Sequence, residues 1–230
     1  MIPKRFGTFI DRIHDEWRDP ILTGFTVLMV VHLFVVAPLE AQANHLQPVG
    51  AIFVVLLSLA LLILSRSLVP VLGVLVVVCL LSASIVLRVQ GDHIPFDVTL
   101  QATAWLVIAL VIIWTVTRAV FEPGRITYHR IVGAILLYLT IGLLFVALYT
   151  LVGANSPNAF SGLTVGMRVS LPSDLVYFSF VTLTTSGYGD IVPIDPFARS
   201  LSNVEAIVGQ LYPATLLARL VSLGEGPARG

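Results

Sequence analysis

The sequence has few charged residues and a single cysteine. Of its 230 residues, 11% are charged and 57% are hydrophobic, whereas a soluble domain carries about 25% charged residues. Thirteen Lys and Arg balance thirteen Asp and Glu, so no excess of positive charge favours a nucleic-acid partner. Cys79 has no second cysteine to pair with, and the five histidines lack metal-ligand spacing. The composition therefore favours a membrane protein without a cofactor.

Long apolar runs predict membrane spans. A helix needs roughly 20 residues to cross the hydrocarbon core, and five runs reach or approach this length, at 21–39, 49–65, 69–87, 100–121 and 131–152. A sixth and less apolar run at 200–223 is interrupted by polar residues, as expected of a helix that faces protein or water. The links contain the helix breakers Pro38, Pro48, Gly91 and Pro95. These runs predict an all-α membrane protein with six transmembrane helices.

The runs fall into two domains with flanking segments. Residues 1–20 combine basic side chains with apolar residues at helical spacing, which favours an amphipathic N-terminal segment on the membrane surface or a plain cytoplasmic leader. Residues 21–121 form a four-helix domain, 122–130 a linker, 131–223 a second domain and 224–230 a short tail. If the N-terminus is inside, ten of the thirteen Lys and Arg lie on the cytoplasmic side. This bias predicts a multi-pass protein of the cell membrane with both termini in the cytoplasm.

One predicted helix, at 173–184, is too short to cross a bilayer. Twelve residues cover roughly 18 Å at about 1.5 Å per residue, so this helix must enter the membrane and return. Ser173 can cap its first turn, and Asp174 lies at the positive end of its dipole. The strand that follows, 185–189, has glycines on both sides of Tyr188. Non-helical backbone is tolerated at membrane depth only where it lines a wet path enclosed by protein.

The stretch from residue 182 to 190 resembles the signature of the tetrameric potassium channels, Thr-x-x-Thr-x-Gly-Tyr-Gly-Asp. The residues on the family's positions are Thr182, Thr185, Gly187, Tyr188, Gly189 and Asp190. The resemblance implies a homotetramer in membrane lipid, with a central pore that conducts K⁺ and catalyses no reaction. It also implies an outer helix at 131–152, a pore helix at 173–184, a selectivity filter at 185–189 and an inner helix at 200–223.

The resemblance assigns roles to the filter residues and their neighbours. It implies that K⁺ is bound by backbone carbonyls and one hydroxyl of Thr185, Ser186, Gly187 and Tyr188. Tyr177 and Phe178 stand where many members carry a supporting tryptophan pair, although plain core packing is equally open. Thr182 belongs to the filter support. Asp190 would face the outer mouth or hydrogen-bond to the support.

Two features leave the function open in part. Ser186 stands where most members carry Val or Ile, so a non-selective cation channel remains an alternative. Gly209 and Pro213 weaken one point of the last helix together, because Pro213 cannot donate a hydrogen bond to the carbonyl of Gly209. This pair predicts a gate hinge, with a static kink as the alternative.

The first four spans resemble a voltage-sensor domain in topology alone. A sensor needs several basic residues on its fourth helix, since each charge gains about 2.3 kcal/mol per 100 mV. The run 100–121 contains only Arg118, which predicts weak or absent voltage dependence. A non-conducting modulatory subunit is a further alternative. An enzyme or a transporter is not favoured, because convergent buried catalytic groups and paired interrupted helices are missing from the pattern.

Overall fold

The structure is a computed structural model that describes residue 20 and residues 22–42, 56–58, 68–90, 94–121, 128–156, 158–163 and 173–224. These residues are mostly helical, because a helix satisfies its own backbone groups in apolar surroundings. Within the described ranges, four helices are long and apolar enough to cross a membrane. Their apolar spans are Leu22–Leu39, Leu68–Leu87, Val98–Arg118 and Ile131–Asn155. The molecule is thus built as a membrane protein.

The helices are numbered here in chain order. Helix α1 covers residues 22–42, with a π-helical turn at His32–Val36 and an α-helical end at Ala37–Gln42. The later helices are α2 (Leu68–Gln90), α3 (Ile94–Phe121), α4 (Tyr128–Asn155), α5 (Ser173–Leu183) and α6 (Pro196–Gly224). Two short strands, β1 (Phe160–Ser161) and β2 (Val192–Pro193), pair antiparallel.

The helix boundaries differ from the predicted ones at several points. The linker predicted at 122–130 is wrong at its end, because residues 128–130 already belong to α4. Helix α6 begins four residues before the predicted start at 200, and α5 ends at Leu183. Of the span predicted at 49–65, the structure describes residues 56–58, which are helical. The segment predicted at 1–20 lies outside the described residues except for residue 20, and the tail 224–230 except for residue 224.

Two of the predicted helix breakers do not break helices. Pro38 lies inside the α-helical end of α1, directly after the π-helical turn in which the N–H of Ala37 bonds to the carbonyl of His32. Such a turn shifts the hydrogen-bond pattern by one residue, so the helix can continue through a residue that has no N–H. Pro95 falls in the first turn of α3, where a missing N–H leaves no helical bond unmade.

The short helix α5 is held between α4 and α6. Helix α3 packs along both α2 and α4, whereas α4, α5 and α6 contact one another pairwise. The side chains of Leu136, Leu143 and Tyr149 on α4 and of Leu175 and Leu183 on α5 are fully buried in this packing. Eleven residues of α5 span about 17 Å, so the chain leaves this helix inside the helical layer. The segment that follows is therefore flanked by α5 and α6, which pack against each other.

Candidate functional site

The segment that follows α5 has an alternating backbone. Residues 184–190 are not helical and are exposed in the single chain. Thr185, Gly187 and Gly189 have positive φ angles of 56°, 56° and 80°, whereas Ser186 and Tyr188 between them do not. Glycine adopts this conformation without a Cβ penalty, whereas at Thr185 it costs about 1–3 kcal/mol. Alternation of this kind turns successive carbonyl groups toward one side of the strand.

Backbone hydrogen bonds tie this segment to the last turn of α5. The carbonyl of Val181 accepts from the N–H of Ser186 at 2.9 Å and from the N–H of Gly187 at 3.3 Å. The carbonyl of Thr182 accepts from the N–H of Thr185 at 2.9 Å. The final carbonyls of a helix have no partner within the helix, so here the strand itself supplies their donors. The strand geometry is consequently fixed by the end of α5.

The side chain of Ser186 adds a further link to α5. Its hydroxyl lies 3.0 Å from the hydroxyl of Thr184, which donates to the carbonyl of Phe180 at 2.7 Å. Because the single proton of Thr184 is used in that bond, Ser186 is the donor of the pair. The position that departs from the family pattern is therefore joined through Thr184 to the body of the helix.

Tyr177 and Tyr188 lie beside each other near the C-terminal end of the segment. Their rings are stacked, with centroids 6.4 Å apart and planes 5° apart. The Tyr177 phenol also lies close enough to the Asp190 carboxyl group for an electrostatic interaction. Tyr177 thus lies against Tyr188 and near Asp190, the two ends of the tripeptide 188–190. The structure brings together three of the predicted site residues here.

Phe178 is placed differently from Tyr177. It is buried on the other side of α5, edge-on to Tyr149 at 4.9 Å and to Phe160 at 5.5 Å between ring centroids. Within one chain it supports the helix core rather than Tyr188. Thr182 lines a cavity of about 300 Å³ between the segment, α5 and α6, together with Thr185 and Asp190.

The chain after Asp190 is anchored in two ways. Strand β2 pairs with β1, with Phe160 opposite Pro193. Asp195 then caps α6, since its Oδ1 accepts from the N–H groups of Phe197 at 2.8 Å and Ala198 at 3.3 Å. Asp195 is therefore the N-cap residue of α6 rather than only a solvated charge. Both ends of the segment are thus attached to regular structure.

Helix α6 contacts the end of α5 at Gly209 and the segment 184–190 at Gln210. A Cβ at Gly209 would overlap the carbonyl oxygen of Leu183, so only glycine allows the two helices this close. The same carbonyl accepts from the Tyr138 hydroxyl of α4 at 3.3 Å. One residue later, Gln210 Nε2 donates to Oγ1 of Thr185 at 2.8 Å. Gly209 therefore has a packing role in addition to the predicted hinge.

Pro213 lies inside α6, which is helical on both sides of it. Arg118, the basic residue near the end of α3, has its guanidinium 4.5 Å from the ring centroid of Trp114 one turn earlier. This cation–π contact holds the charge at the end of the helix. Among the described residues, no side-chain hydrogen bond joins Pro213 or Arg118 to the segment 184–190.

Sequence reasoning missed Tyr138, Glu205 and Gln210. Glu205 and Gln210 are among the polar residues that interrupt the apolar run 200–223. Their partners are 25 to 56 residues away, so no local pattern reveals the contacts. The one available signal was the presence of Glu and Gln in a membrane span, where such residues usually have a function.

Part of the chain matches a known family model, and several known proteins are similar to it. A family model described as "Ion channel" matches residues 134–225. The Protein LctB of Geobacillus stearothermophilus is 30% identical over 122 residues, which are 52% of this chain and 89% of that protein. The Protein LctB of Bacillus caldotenax is 34% identical over 116 residues, or 47% of this chain and 81% of the relative.

A third similar protein is the inward rectifier potassium channel Kirbac3.1 of Paramagnetospirillum magnetotacticum. It is 32% identical over 94 residues, which cover 41% of this chain and 29% of that protein. No solved structure matches the chain. The match to the family model covers α5, the segment 184–190 and α6, the same elements that form the site.

Proposed function

The chain belongs to the potassium channel family, and from this premise we propose that it is a K⁺-selective channel that conducts K⁺ passively across the membrane. The segment 185–189 is its selectivity filter. Backbone carbonyls of Thr185, Ser186, Gly187 and Tyr188, with the hydroxyl of Thr185, replace the water shell of the ion. As a channel, the protein is not an enzyme.

The alternating backbone at Thr185, Gly187 and Gly189 is the observation that carries this proposal. A strand with carbonyls on one side offers an unhydrated cation a row of oxygen ligands. The negative end of the α5 dipole points toward the same strand and favours a cation there. The Tyr177 ring, stacked on Tyr188, supports one end of the row.

The proposed assembly is a homotetramer around one pore. Residues 184–190 are exposed in the single chain, and a single strand surrounds an ion on one side only. Copies of the chain around a shared axis would close the ring of oxygens. Exposed apolar side chains on α6, at Val204, Ile207 and Leu211, would lie on the faces that meet neighbouring copies or the pore.

The remaining helices support a membrane location and weak voltage dependence. The proposed protein is multi-pass in the cell membrane with both termini in the cytoplasm, as the distribution of Lys and Arg favours. Arg118 supplies one charge at the end of α3, too few for a steep response to voltage. Helices 21–121 are then a domain of voltage-sensor-like topology without gating charges.

Flux from liposomes tests the proposal. The purified protein, reconstituted in vesicles loaded with K⁺, should release K⁺ down its gradient without added substrate. Gly187→Ala should abolish the selective flux, because a Cβ at positive φ costs about 1–3 kcal/mol in each subunit. Gly24→Ala on α1, where a Cβ meets no atom within 4 Å, is the matched control and should conduct normally.

The alternatives predict different fluxes. A non-selective cation channel is the alternative that Ser186 leaves possible. Such a channel would release Na⁺ from matched vesicles as fast as K⁺. A modulatory subunit would give no flux by itself and would conduct only with a second channel chain. Either result would reject the proposed function.

A further inference from the structure

A buried acid joins the three helices around the filter. Glu205 on α6, Ser179 on α5 and Tyr149 on α4 are each 0% exposed. The Tyr149 hydroxyl donates to Oε2 of Glu205 at 2.6 Å, and Oε1 of Glu205 lies 2.5 Å from Oγ of Ser179. Both oxygens of the carboxyl group are thus hydrogen-bonded, one to each neighbouring helix.

The hydrogen bonds can be counted proton by proton. The hydroxyl of Ser179 has one proton and two oxygen neighbours, Oε1 of Glu205 and the carbonyl oxygen of Gly142 at 2.9 Å. If Glu205 carries a proton on Oε1, it donates to Ser179, which then donates to Gly142. Tyr149 donates to the other carboxyl oxygen. Each contact then has one donor and one acceptor.

An ionised Glu205 would leave this network short of a proton. Ser179 would have to choose between the carboxylate and Gly142. Tyr149 is the titratable side chain hydrogen-bonded to Glu205, Tyr138 lies within its electrostatic reach, and no Lys or Arg of the described residues pairs with it. A buried charge without a counter-charge is strongly unfavourable, so the neutral acid is the form that fits.

The position of this network relates it to the filter. Ser179 lies two residues before Val181, whose carbonyl holds two N–H groups of the filter. Glu205 lies one helical turn before Gly209 and Gln210, which contact Leu183 and Thr185. Helix α6 therefore contacts α5 through Glu205 and Gly209, and the filter through Gln210. Glu205 is the first of these three residues along the chain.

We propose that Glu205 is a positioning residue: as a neutral carboxylic acid it ties α6 to α5 and α4, and so keeps the filter strand in its conducting geometry. This role rests on the proposed potassium channel function. Without the tie, α5 could shift along α6, and the carbonyl row built on Val181 and Thr182 would move with it. A shift of this kind alters ion selectivity rather than the number of channels.

The test compares Glu205→Gln with Glu205→Leu in full-length protein reconstituted in lipid bilayers. The Gln amide keeps one donor and one acceptor at the same places, so the K⁺/Na⁺ permeability ratio should stay within about 2-fold of wild type. Leu leaves two buried hydroxyls without their partner and should lower the ratio by about 10-fold. The ratio comes from reversal potentials, which do not depend on how many channels fold.

Milder variants cover the case in which Glu205→Leu does not assemble. Ser179→Ala and Tyr149→Phe each remove one arm of the network and should lower the permeability ratio by a few-fold. Thr140→Val is the matched control, since Thr140 is also fully buried but bonds only to its own helix at Leu136. An unchanged ratio in both arm variants would overturn the positioning role.

Infrared spectroscopy tests the neutral acid without any current. Wild-type protein at neutral pH should show the C=O stretch of a protonated carboxyl group that is missing in Glu205→Gln. A carboxylate signal in its place, or a Gln variant as damaged as the Leu variant, would overturn the proposal. Because this readout needs no conduction, failure of the neutral acid is distinguishable from failure of the proposed channel function.

Discussion

The side-chain amide of Gln210 donates a hydrogen bond of 2.8 Å to the hydroxyl of Thr185. This contact joins α6 to the first residue of the proposed filter, at which the backbone has the positive φ of 56°. The amide therefore holds in place a residue whose conformation is unfavourable by itself. In the proposed channel, the same hydroxyl is a ligand of the innermost ion.

Gln210→Leu should weaken the innermost ion site. One hydrogen bond per subunit contributes about 0.5–1.5 kcal/mol, so we expect the unitary K⁺ conductance to fall by about 2- to 10-fold. Single-channel recording in symmetric K⁺ measures this change. Thr215→Val is the control, because the Thr215 hydroxyl bonds only within α6, to the carbonyl of Tyr212. Equal conductance in the Gln210 variant and wild type would contradict the role of this contact.

Gly209→Ala and Pro213→Ala should have different effects. A Cβ at Gly209 would overlap the Leu183 carbonyl, and relieving overpacking of this kind typically costs about 1–3 kcal/mol. We expect this variant to lower both the thermal stability of the assembly and the K⁺/Na⁺ permeability ratio. Gly24→Ala, in open space, should change neither quantity.

Pro213→Ala restores an N–H that can bond to the carbonyl of Gly209 and makes α6 stiffer. If the pair forms a gate hinge, the open probability should fall while the permeability ratio stays the same. Unchanged single-channel gating in Pro213→Ala would leave a static kink as the remaining interpretation.

Ser186→Val tests the residue that departs from the family pattern. The substitution removes the hydrogen bond from Ser186 to Thr184, but leaves the backbone carbonyls and the bonds to Val181 in place. We expect unaltered preference for K⁺ over Na⁺ and a lower open probability during sustained activity, measured in long bilayer recordings. A marked gain in selectivity would instead support the non-selective cation channel for the natural sequence.

The conductance should depend weakly on voltage. Arg118 is the basic residue at the end of α3 and lies against Trp114. A single charge near one membrane surface crosses little of the field, whose work is about 2.3 kcal/mol per charge per 100 mV. The slope of conductance against voltage should therefore correspond to fewer than about one charge per subunit. A slope of three or more charges per subunit would contradict this reading.

Local patterns in the sequence predicted the elements of the site well. Ser173 and Asp174 predict the start of α5. The glycines on both sides of Tyr188 indicate the positive φ angles that the structure has at Gly187 and Gly189. Boundaries were less predictable. Pro38 lies within a helix because a π-helical turn precedes it. No residue type in the sequence predicts such a turn.

The contacts that hold the site were not predictable from local patterns. Gln210 reaches Thr185 across 25 positions of sequence, and Glu205 reaches Tyr149 across 56. Such contacts depend on how the helices pack, which local patterns in the sequence do not reveal. Phe178 shows the same limit, since its neighbour Phe160 comes from strand β1, which precedes α5 in the chain.

Selective permeation is the most direct test of the account. With K⁺ on one side of a planar bilayer and Na⁺ at equal concentration on the other, the reversal potential of single channels reports the permeability ratio of the filter. The account predicts a reversal potential strongly displaced in the direction set by K⁺, and a displacement lost in Gly187→Ala. A reversal potential near zero for the wild-type protein would contradict it.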